Sequence, residues 1–321
     1  MKRRFACTLA LCAALSLQLQ AQRSELRLEK GWRFTRQDQA SFSIPDYNDS
    51  KWSRVTVPHD WAIYGPFSFE NDKQHLAIAQ DGQKEAMEHA GRTGGLPFVG
   101  AGWYRRSLDI PQDLGDRRVF LRFDGAMSHA RVYVNGKEVG YWPYGYNTFA
   151  FDVTPYVRPG ASNTLAVRLE NKHESSRWYP GAGLYRNVHL TITSPTYIPL
   201  WGTRIQTPSV SADQAYVSVE TKVAGLSHLA GRPLRIETKI LSPEGKVVAE
   251  RSESFSSKGA DSIYRTGFDI SAPKLWDINQ PNLYKYAVTL SDGSRVIDRD
   301  TTTFGIRSIE LKAGEGFFLN G

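Results

Sequence analysis

Short segments in which apolar and polar residues alternate are the feature that most constrains the fold of this chain. Four of them lie at 119–123, 131–134, 164–170 and 188–193, between clusters of turn-forming residues. Alternation places successive side chains on opposite faces of a β-strand, so we expect each segment to be a strand with one buried face. Turn signals that recur about every ten positions are typical of β-sandwiches.

A second block of alternating segments follows a proline-containing stretch at residues 194–208. Its predicted strands and turns are at 216–223, 234–241, 264–270 and 283–290, and at 242–245 and 291–294, respectively. The block has about the size of an immunoglobulin-like domain. A length of 321 residues also favours two domains. We therefore predict an all-β chain of two sandwiches in tandem.

The dipeptide Asn135-Gly136 lies between the segments 131–134 and 137–140. A type I′ turn needs two residues with positive φ, and Asn-Gly is the sequence that supplies them most readily. The dipeptide predicts a β-hairpin, and this structural role accounts for both residues.

A long connection between Tyr64 and Gly102 interrupts the strand pattern. Within it, residues 81–90 are expected to form a short helix. Glu85, Glu88 and His89 would share one face of that helix, which is one arrangement for a metal site. A solvated helix explains the same residues, and we favour it because transition-metal sites usually have better-spaced His or Cys ligands.

The N-terminus has the layout of a secretory signal peptide. Lys2, Arg3 and Arg4 precede an apolar stretch at 5–19, and Ala21 offers a cleavage point. The apolar stretch is too short to span a membrane comfortably. We therefore expect residues 1–22 to form a signal peptide, with cleavage near its end, and the mature protein to be secreted or periplasmic and not anchored in a membrane.

Removal of that segment changes the chemistry that is available to the chain. It takes away the three basic residues and lowers the formal net charge from +7 to +4. Both cysteines, Cys7 and Cys12, are lost with it, which excludes disulfides and thiol catalysis. The sequence also contains no Gly-x-Ser-x-Gly elbow and no phosphate-binding GxxxxGK[ST] loop. Basic and acidic residues are interspersed, which argues against nucleic-acid binding. No cofactor is expected.

Two loops carry an excess of aromatic residues. Residues 171–183 contain Trp178 and Tyr179 together with Glu174 and Arg177, and residues 142–146 contain Trp142, Tyr144 and Tyr146. Sugar rings pack their C–H faces on aromatic rings while their hydroxyls take charged or amide partners, so both loops are candidates for carbohydrate binding. For Trp142 and Tyr146 we favour the alternative that they close the end of a sandwich core. For Arg177 and Trp178 the two interpretations are equally supported.

Several segments resemble, in combination and in order, the glycoside hydrolase family 2 of β-galactosidases and β-glucuronidases. The run SRWYPGAGLYRNV at 176–188 resembles the end of the family's sugar-binding domain. The others are VPHDW at 57–61, GWYRRSLDIP at 102–111, FDGAMSHARVYVNGKEVG at 123–140, LWDINQPNLY at 275–284 and FGIRSIELKAGEGFFLNG at 304–321. The loop at 92–97 is similar to one in the β-galactosidase-like branch.

The resemblance implies a jelly-roll sugar-binding domain at 23–195 and an immunoglobulin-like sandwich at 196–305. Residues 306–321 would then begin the connection to a (β/α)₈ barrel. In the family the retaining reaction uses two glutamates of that barrel. No residue of this chain matches either motif, so the chain alone is predicted to hold no catalytic residue and to be inactive.

The residues that the resemblance assigns to substrate binding are few. Arg177 stands where the family offers a polar side chain to the terminal sugar, and Glu174 and Trp178 flank it. Asp60 belongs to a matching motif, although a turn or capping bond to the backbone is the favoured role for it. The partner implied is the terminal β-linked sugar of an oligo- or polysaccharide, and homo-oligomerisation is left open.

Two functions follow. The first is the N-terminal, non-catalytic portion of a secreted retaining exo-glycosidase that hydrolyses terminal β-glycosides, with β-galactosides favoured. The second is a free-standing secreted carbohydrate-binding or structural sandwich protein without hydrolase activity. The apolar residues and the Asn-Gly pair at 317–321 favour the first, because a finished domain is expected to end in polar residues.

Overall fold

The computed structural model describes residues 23–68, 71, 74–76, 87–89, 98–172, 175 and 178–321. This part of the chain divides into two compact units, residues 25–192 and residues 193–321, and the second also takes in residues 23–24. Regular structure among the described residues consists of β-strands and four 3₁₀ turns, at Ala40–Ser43, Ala62–Tyr64, Thr154–Tyr156 and Ser227–Leu229. The predicted all-β class is confirmed.

The first unit is a jelly-roll sandwich of two antiparallel sheets with a separate two-stranded ribbon. Its strands are β1 (Ser24–Arg27), β2 (Trp32–Thr35), β3 (Ser53–Val55), β4 (Gln74–Leu76), β5 (Met87–His89), β6 (Gly100–Asp109), β7 (Arg118–Phe123), β8 (Ala130–Val134), β9 (Lys137–Trp142), β10 (Phe149–Asp152), β11 (Ser162–Asn171) and β12 (Val188–Thr193). One sheet has the order β1-β12-β7-β10 and the other the order β3-β2-β6-β11-β8-β9, while β4 pairs with β5.

The core of the first unit lies between its two sheets. The inward residues of β7 pack in one cluster with those of β8 and β11 from the facing sheet, for example Leu121 with Val132 and Val167. The burial of β7 and β8 alternates residue by residue, as the sequence pattern predicts. Removal of these apolar faces from water is the main contribution to the stability of such a sandwich.

Strand β12 differs from its prediction, because all six of its residues are buried rather than only one face. It lies inside its sheet, between β1 and β7. On its second face His189 packs between two carboxylates, with Nδ1 2.9 Å from Glu25 Oε1 and Nε2 3.1 Å from Asp124 Oδ2. Polar neighbours therefore bury a face that the alternation predicts to be exposed.

The second unit is an immunoglobulin-like sandwich followed by a hairpin. Its strands are β13 (Thr203–Val210), β14 (Gln214–Val223), β15 (Pro233–Leu241), β16 (Val247–Ser256), β17 (Ser262–Ser271), β18 (Tyr284–Asp292), β19 (Arg295–Phe304), β20 (Ile309–Lys312) and β21 (Gly316–Leu319). The sheets have the orders β13-β14-β17 and β16-β15-β18-β19, and β20 pairs with β21. Their inward residues, such as Val217, Ile236 and Tyr286, form one apolar cluster.

Two local predictions have different outcomes. The Asn135-Gly136 turn is confirmed, since the two residues have φ of 51° and 80° and connect the paired strands β8 and β9. The helix predicted at 81–90 is wrong where the structure describes it, because residues 87–89 form β5 and pair with β4. Glu85 lies outside the described residues, and Glu88 and His89 have no helical face to share.

Candidate functional site

Three segments of the first unit meet at the end of the sandwich that carries the aromatic loops. Residues 59–61 pair with residues 182–184: His59 N donates to Leu184 O at 2.8 Å and Trp61 N to Ala182 O at 3.2 Å. On the other side, Gly183 exchanges two backbone hydrogen bonds of 2.9 Å with Met127. The segment 181–185 is therefore held on both sides by regular backbone pairing.

Gly183 is required for this close approach. Its φ is 106°, a conformation that other residues rarely adopt, and a Cβ at this position would lie 2.6 Å from His59 O. A steric constraint therefore explains why the run at 176–188, which resembles the family, has a glycine at position 183.

Asp60 connects its own turn to the loop of Tyr179 by two hydrogen bonds. Its Oδ1 accepts a hydrogen bond from Ala62 N at 3.0 Å, which is the turn bond expected from the sequence. Its Oδ2 accepts a second one from the Tyr179 hydroxyl at 2.6 Å. Burial and the Asp60 carboxylate together raise the pKa of Tyr179, so this hydroxyl is a donor at any physiological pH. The turn role of Asp60 is confirmed, and its contact with sugar stays a prediction.

Trp178 presents an indole that is 61% exposed. Its Nε1 donates to the hydroxyl of Tyr146 at 2.9 Å, so one edge of the ring is fixed. The rings of Tyr146 and Tyr144 pack edge to face with centroids 5.5 Å apart, and they are 40% and 53% exposed. Trp178, Tyr144 and Tyr146 thus form one surface, which we call the aromatic patch.

The structure separates the two aromatic residues that were predicted to close the core. Trp142 does so, since its ring stacks on that of buried Phe149 with centroids 5.6 Å apart. The prediction is wrong for Tyr146, which is exposed and bonded to Trp178. Trp142 is the last residue of β9, whereas Tyr146 lies in the connection that follows, where Tyr185 Oη donates to Gly145 O at 3.0 Å.

Arg177 and Glu174, the two charged residues predicted to bind sugar, lie outside the described residues. Asn171 is described at the start of their loop; it is buried and donates to Gly181 O at 3.4 Å. The structure therefore describes two of the four predicted residues, Asp60 and Trp178. Asp60 accepts a hydrogen bond from Tyr179, the residue after Trp178, and Trp178 itself donates to Tyr146.

His59, which is half-buried, and Tyr104, which is fully buried, form a pair beside Asp60 that sequence patterns do not reveal. His59 Nδ1 lies 2.7 Å from Tyr104 Oη, although 45 residues separate them. Burial lowers the pKa of His59, and the positive charge of Arg36 acts in the same direction while Asp60 opposes it. No alternation along β6 marks Tyr104 as an inward residue, because four consecutive residues of this strand, 102–105, are buried.

Neither a metal site nor a membrane span is found in the described part of the chain. No group of three or more His, Asp or Glu side chains there is arranged to hold a metal ion. No helix among the described residues is long and apolar enough to cross a membrane.

Comparison with protein families decides the affiliation of the chain. Residues 26–195 match the model described as "Glycosyl hydrolases family 2, sugar binding domain", and residues 197–307 match the model "Glycosyl hydrolases family 2". The chain belongs to glycosyl hydrolase family 2. The aromatic patch and Asp60 lie in the part that matches the sugar-binding domain.

Relatives in the family are similar along nearly the whole chain. A putative β-glucuronidase of Formosa agariphila is 34% identical over 317 residues, which are 98% of this chain and 28% of the relative. The β-galactosidase BoGH2A of Bacteroides ovatus is 34% identical over 315 residues, 98% of this chain and 35% of the relative. A family 2 member from Bacteroides cellulosilyticus of known structure superposes with a TM-score of 0.81 at 32% identity, covering 92% of this chain and 37% of that one. The chain thus spans about a third of the length of these relatives.

Proposed function

We propose that this chain is the N-terminal, non-catalytic portion of an exported retaining exo-glycosidase that acts on terminal β-glycosides, and on β-galactosides in particular. Membership of family 2 supports the glycosidase class. Relatives of the chain are named both β-galactosidase and β-glucuronidase. The resemblance of the loop at 92–97 to the β-galactosidase-like branch favours the galactoside.

The observation that carries a sugar-binding role for the described residues is the aromatic patch. Three aromatic rings with large exposed faces meet at one end of the sandwich, and a hydrogen bond from Trp178 to Tyr146 fixes their relative orientation. Pre-oriented aromatic surface with hydroxyl groups at its edge suits a sugar ring, which needs one apolar face and several hydrogen-bond partners.

The chemistry of the reaction supports a non-catalytic role for this portion and a catalytic role for a separate barrel domain. Retaining hydrolysis needs two carboxylates about 5–5.5 Å apart, one as nucleophile and one as acid and base. The motifs that carry these glutamates in the family have no match in this sequence. We therefore expect this portion to shape the sugar site and a barrel domain to perform the reaction.

The decisive experiment compares the product of the full reading frame beyond codon 321 with the 321-residue chain. Both are purified from a host without β-galactosidase and assayed on nitrophenyl β-galactoside and nitrophenyl β-glucuronide. The full product should hydrolyse the galactoside faster, and the 321-residue chain should hydrolyse neither. Turnover by the 321-residue chain would contradict the proposal, and so would a frame that ends without a barrel. A preference for the glucuronide would correct the substrate alone.

Export is a separate part of the proposal, supported by the layout of residues 1–21. Mass spectrometry of the protein recovered outside the cytoplasm should find an N-terminus at Gln22 or Arg23. An exported protein that retains residues 1–21 would exclude the signal peptide.

A further inference from the structure

A cleft of about 550 Å³ lies in the first unit between β2, the start of β3 and residues 59–64. Its volume falls within the range of about 300–1,000 Å³ that is usual for small-molecule sites. Its walls are aromatic: Phe34 and Trp61 are stacked with centroids 5.4 Å apart, and Tyr64 and Phe98 line the same cleft. Tyr64 is 71% exposed, so its ring is open to solvent.

The cleft has neutral polar residues in Thr35, Gln37 and Ser53, and its ionisable polar side chains other than tyrosine are basic. Arg36, Lys51 and His59 line it, and no acidic side chain is among its described lining residues. Arg36 is held over the ring of Phe98, with its guanidinium carbon 5.4 Å from the centroid. Neither Arg36 nor Lys51 forms an ion pair with any carboxylate that the structure describes. Both cations are therefore available to a ligand.

Carboxylates that flank the lining residues in sequence are engaged elsewhere. Asp38 pairs with Arg168 at 2.7 Å and Asp49 with Arg105 at 2.9 Å. Asp60 is bonded to Ala62 N and to the Tyr179 hydroxyl. The positive charge of Arg36 and Lys51 is thus not neutralised by these groups.

His59 adds one directed group. Its Nδ1 is engaged by Tyr104 Oη at 2.7 Å, which leaves only Nε2 to meet a ligand. Its ring lies nearly parallel to that of Tyr64, with centroids 6.1 Å apart. An aromatic wall, a ring nitrogen of fixed orientation and two cations together match a pyranose ring that carries an anionic substituent.

We propose that this cleft binds an anionic sugar through Arg36 and Lys51, with the sugar ring against Tyr64. A carboxylate on the sugar accepts hydrogen bonds from the guanidinium and the ammonium group, and a sulfate ester offers the same chemistry. The proposal does not rest on the proposed function, because it concerns residues other than the aromatic patch and needs no catalysis.

The test is a titration of the ¹⁵N-labelled 321-residue chain, observed by NMR, with methyl β-D-glucuronide, glucose 6-sulfate and methyl β-D-glucoside. We expect the amide signals of β2 and β3 to shift, and the glucuronide to bind at least about tenfold more tightly than the glucoside, since a charge pair in a partly buried cleft is worth about that factor. The preference should shrink at about 0.5 M salt, which screens charges. Tighter binding of glucose 6-sulfate than of the glucuronide would identify a sulfated sugar as the source of the anion.

The variant R36Q/K51Q should lose the preference for anionic sugars, by at least about tenfold. The control R54Q removes a charge from β3 at a residue that does not line this cleft, and should bind as the wild type does. Tyr64→Ala should weaken binding of all three sugars. If circular dichroism shows that R36Q/K51Q is unfolded, Lys51→Gln alone serves, because Lys51 is exposed. The proposal would be overturned if the wild type binds no sugar, or binds glucoside and glucuronide with equal affinity. It would also be overturned if the shifts are confined to other strands, or if R36Q/K51Q keeps its preference for anionic sugars.

Discussion

Arg23 and Asp298 form a bidentate ion pair although 275 residues separate them in the sequence. Arg23 Nε lies 3.1 Å from Asp298 Oδ1 and Nη2 lies 2.8 Å from Oδ2. The Asp298 side chain is fully buried, and its Oδ2 also accepts a hydrogen bond of 2.7 Å from Ile198 N. Arg23 therefore stabilises the second unit from a position far away in the sequence.

We expect Arg23→Gln to destabilise the second unit by about 3–5 kcal/mol, because the substitution leaves a buried carboxylate without its counter-charge. The measurement is the free energy of unfolding in urea. Arg265→Gln is the matched control: it breaks the exposed pair of Arg265 with Glu220 and should cost at most about 1 kcal/mol. If the two variants lose similar amounts, the buried pair has no special role.

His59 is expected to make the first unit sensitive to acid. Burial lowers its pKa in the folded state below the ordinary value of 6.5, so the unfolded chain binds the proton at a higher pH than the folded chain. The stability due to neutral His59 is complete above about pH 6.5 and is lost as the pH falls through the lower pKa of the folded state.

His59→Asn keeps a hydrogen-bonding side chain near Tyr104 Oη but removes the titrating ring. Its free energy of unfolding, measured between about pH 7 and pH 5, should fall less steeply than that of the wild type. Tyr104→Phe serves as the control, since it removes the hydroxyl and leaves the half-buried histidine in place; it should lower stability and keep the steep fall. Parallel profiles for His59→Asn and the wild type would argue against a titration of His59 in this range.

The hairpin of β20 and β21 carries an apolar face that should make the chain associate. Leu311 and Phe317 are directly paired across the strands and are 77% and 62% exposed, and exposed Ile309 lies on the same face. Contiguous exposed apolar surface favours association. Sedimentation velocity should detect concentration-dependent oligomers that L311K/F317K reduces, whereas Ile278→Lys, at an exposed isoleucine outside the hairpin, should not. A monomer at high concentration would refute this prediction.

The strands with regular alternation could be predicted from the sequence. All eight predicted strands are present, with ends displaced by at most two residues, because their core faces repeat every second residue. Strand β16 could not be predicted in this way, since it is an exposed edge strand with almost no buried face. Strand β13 contains Pro208, which normally indicates a connection; the proline lies at a break in the pairing of an edge strand, where its missing N–H is tolerated.

The candidate site was predictable only in its composition. An excess of aromatic residues marks the loops of Trp178 and Tyr146 as candidates. The hydrogen bond between these two residues, which are 32 positions apart, cannot be predicted from the sequence. The link between Tyr179 and Asp60 spans 119 positions and is equally invisible. Both links join segments that only the tertiary fold brings together.

Arg177 gives a prediction that rests on the sequence alone. In the longer enzyme that we propose, Arg177→Ala should remove a charged donor to a sugar hydroxyl, at a cost of about 1.5–3 kcal/mol, or roughly ten- to a hundredfold in kcat/KM, with little change in Tm. If Arg177 only pairs with Glu174 at the surface, the variant should lose under about 1 kcal/mol of stability and keep its kinetics. Unchanged kinetics in a folded variant would remove Arg177 from the site.

Trp178 allows a sharper comparison, because its exposure and its hydrogen bond to Tyr146 are described. If its exposed face packs on the sugar, Trp178→Ala in the full-length enzyme should lower kcat/KM about tenfold, which corresponds to the loss of about 1.4 kcal/mol of apolar contact. Stability should hardly change, since most of the indole is exposed.

Trp201→Ala is the matched control: Trp201 is exposed to a similar degree in the second unit, and its removal should leave the kinetics unchanged. Tyr146→Phe keeps the neighbouring ring and removes only the acceptor of the Trp178 Nε1 hydrogen bond, so its loss should be smaller and should vanish in the Trp178→Ala background. Equal kinetics for the Trp178 and Trp201 variants would reduce the aromatic patch to a structural feature of the sandwich end.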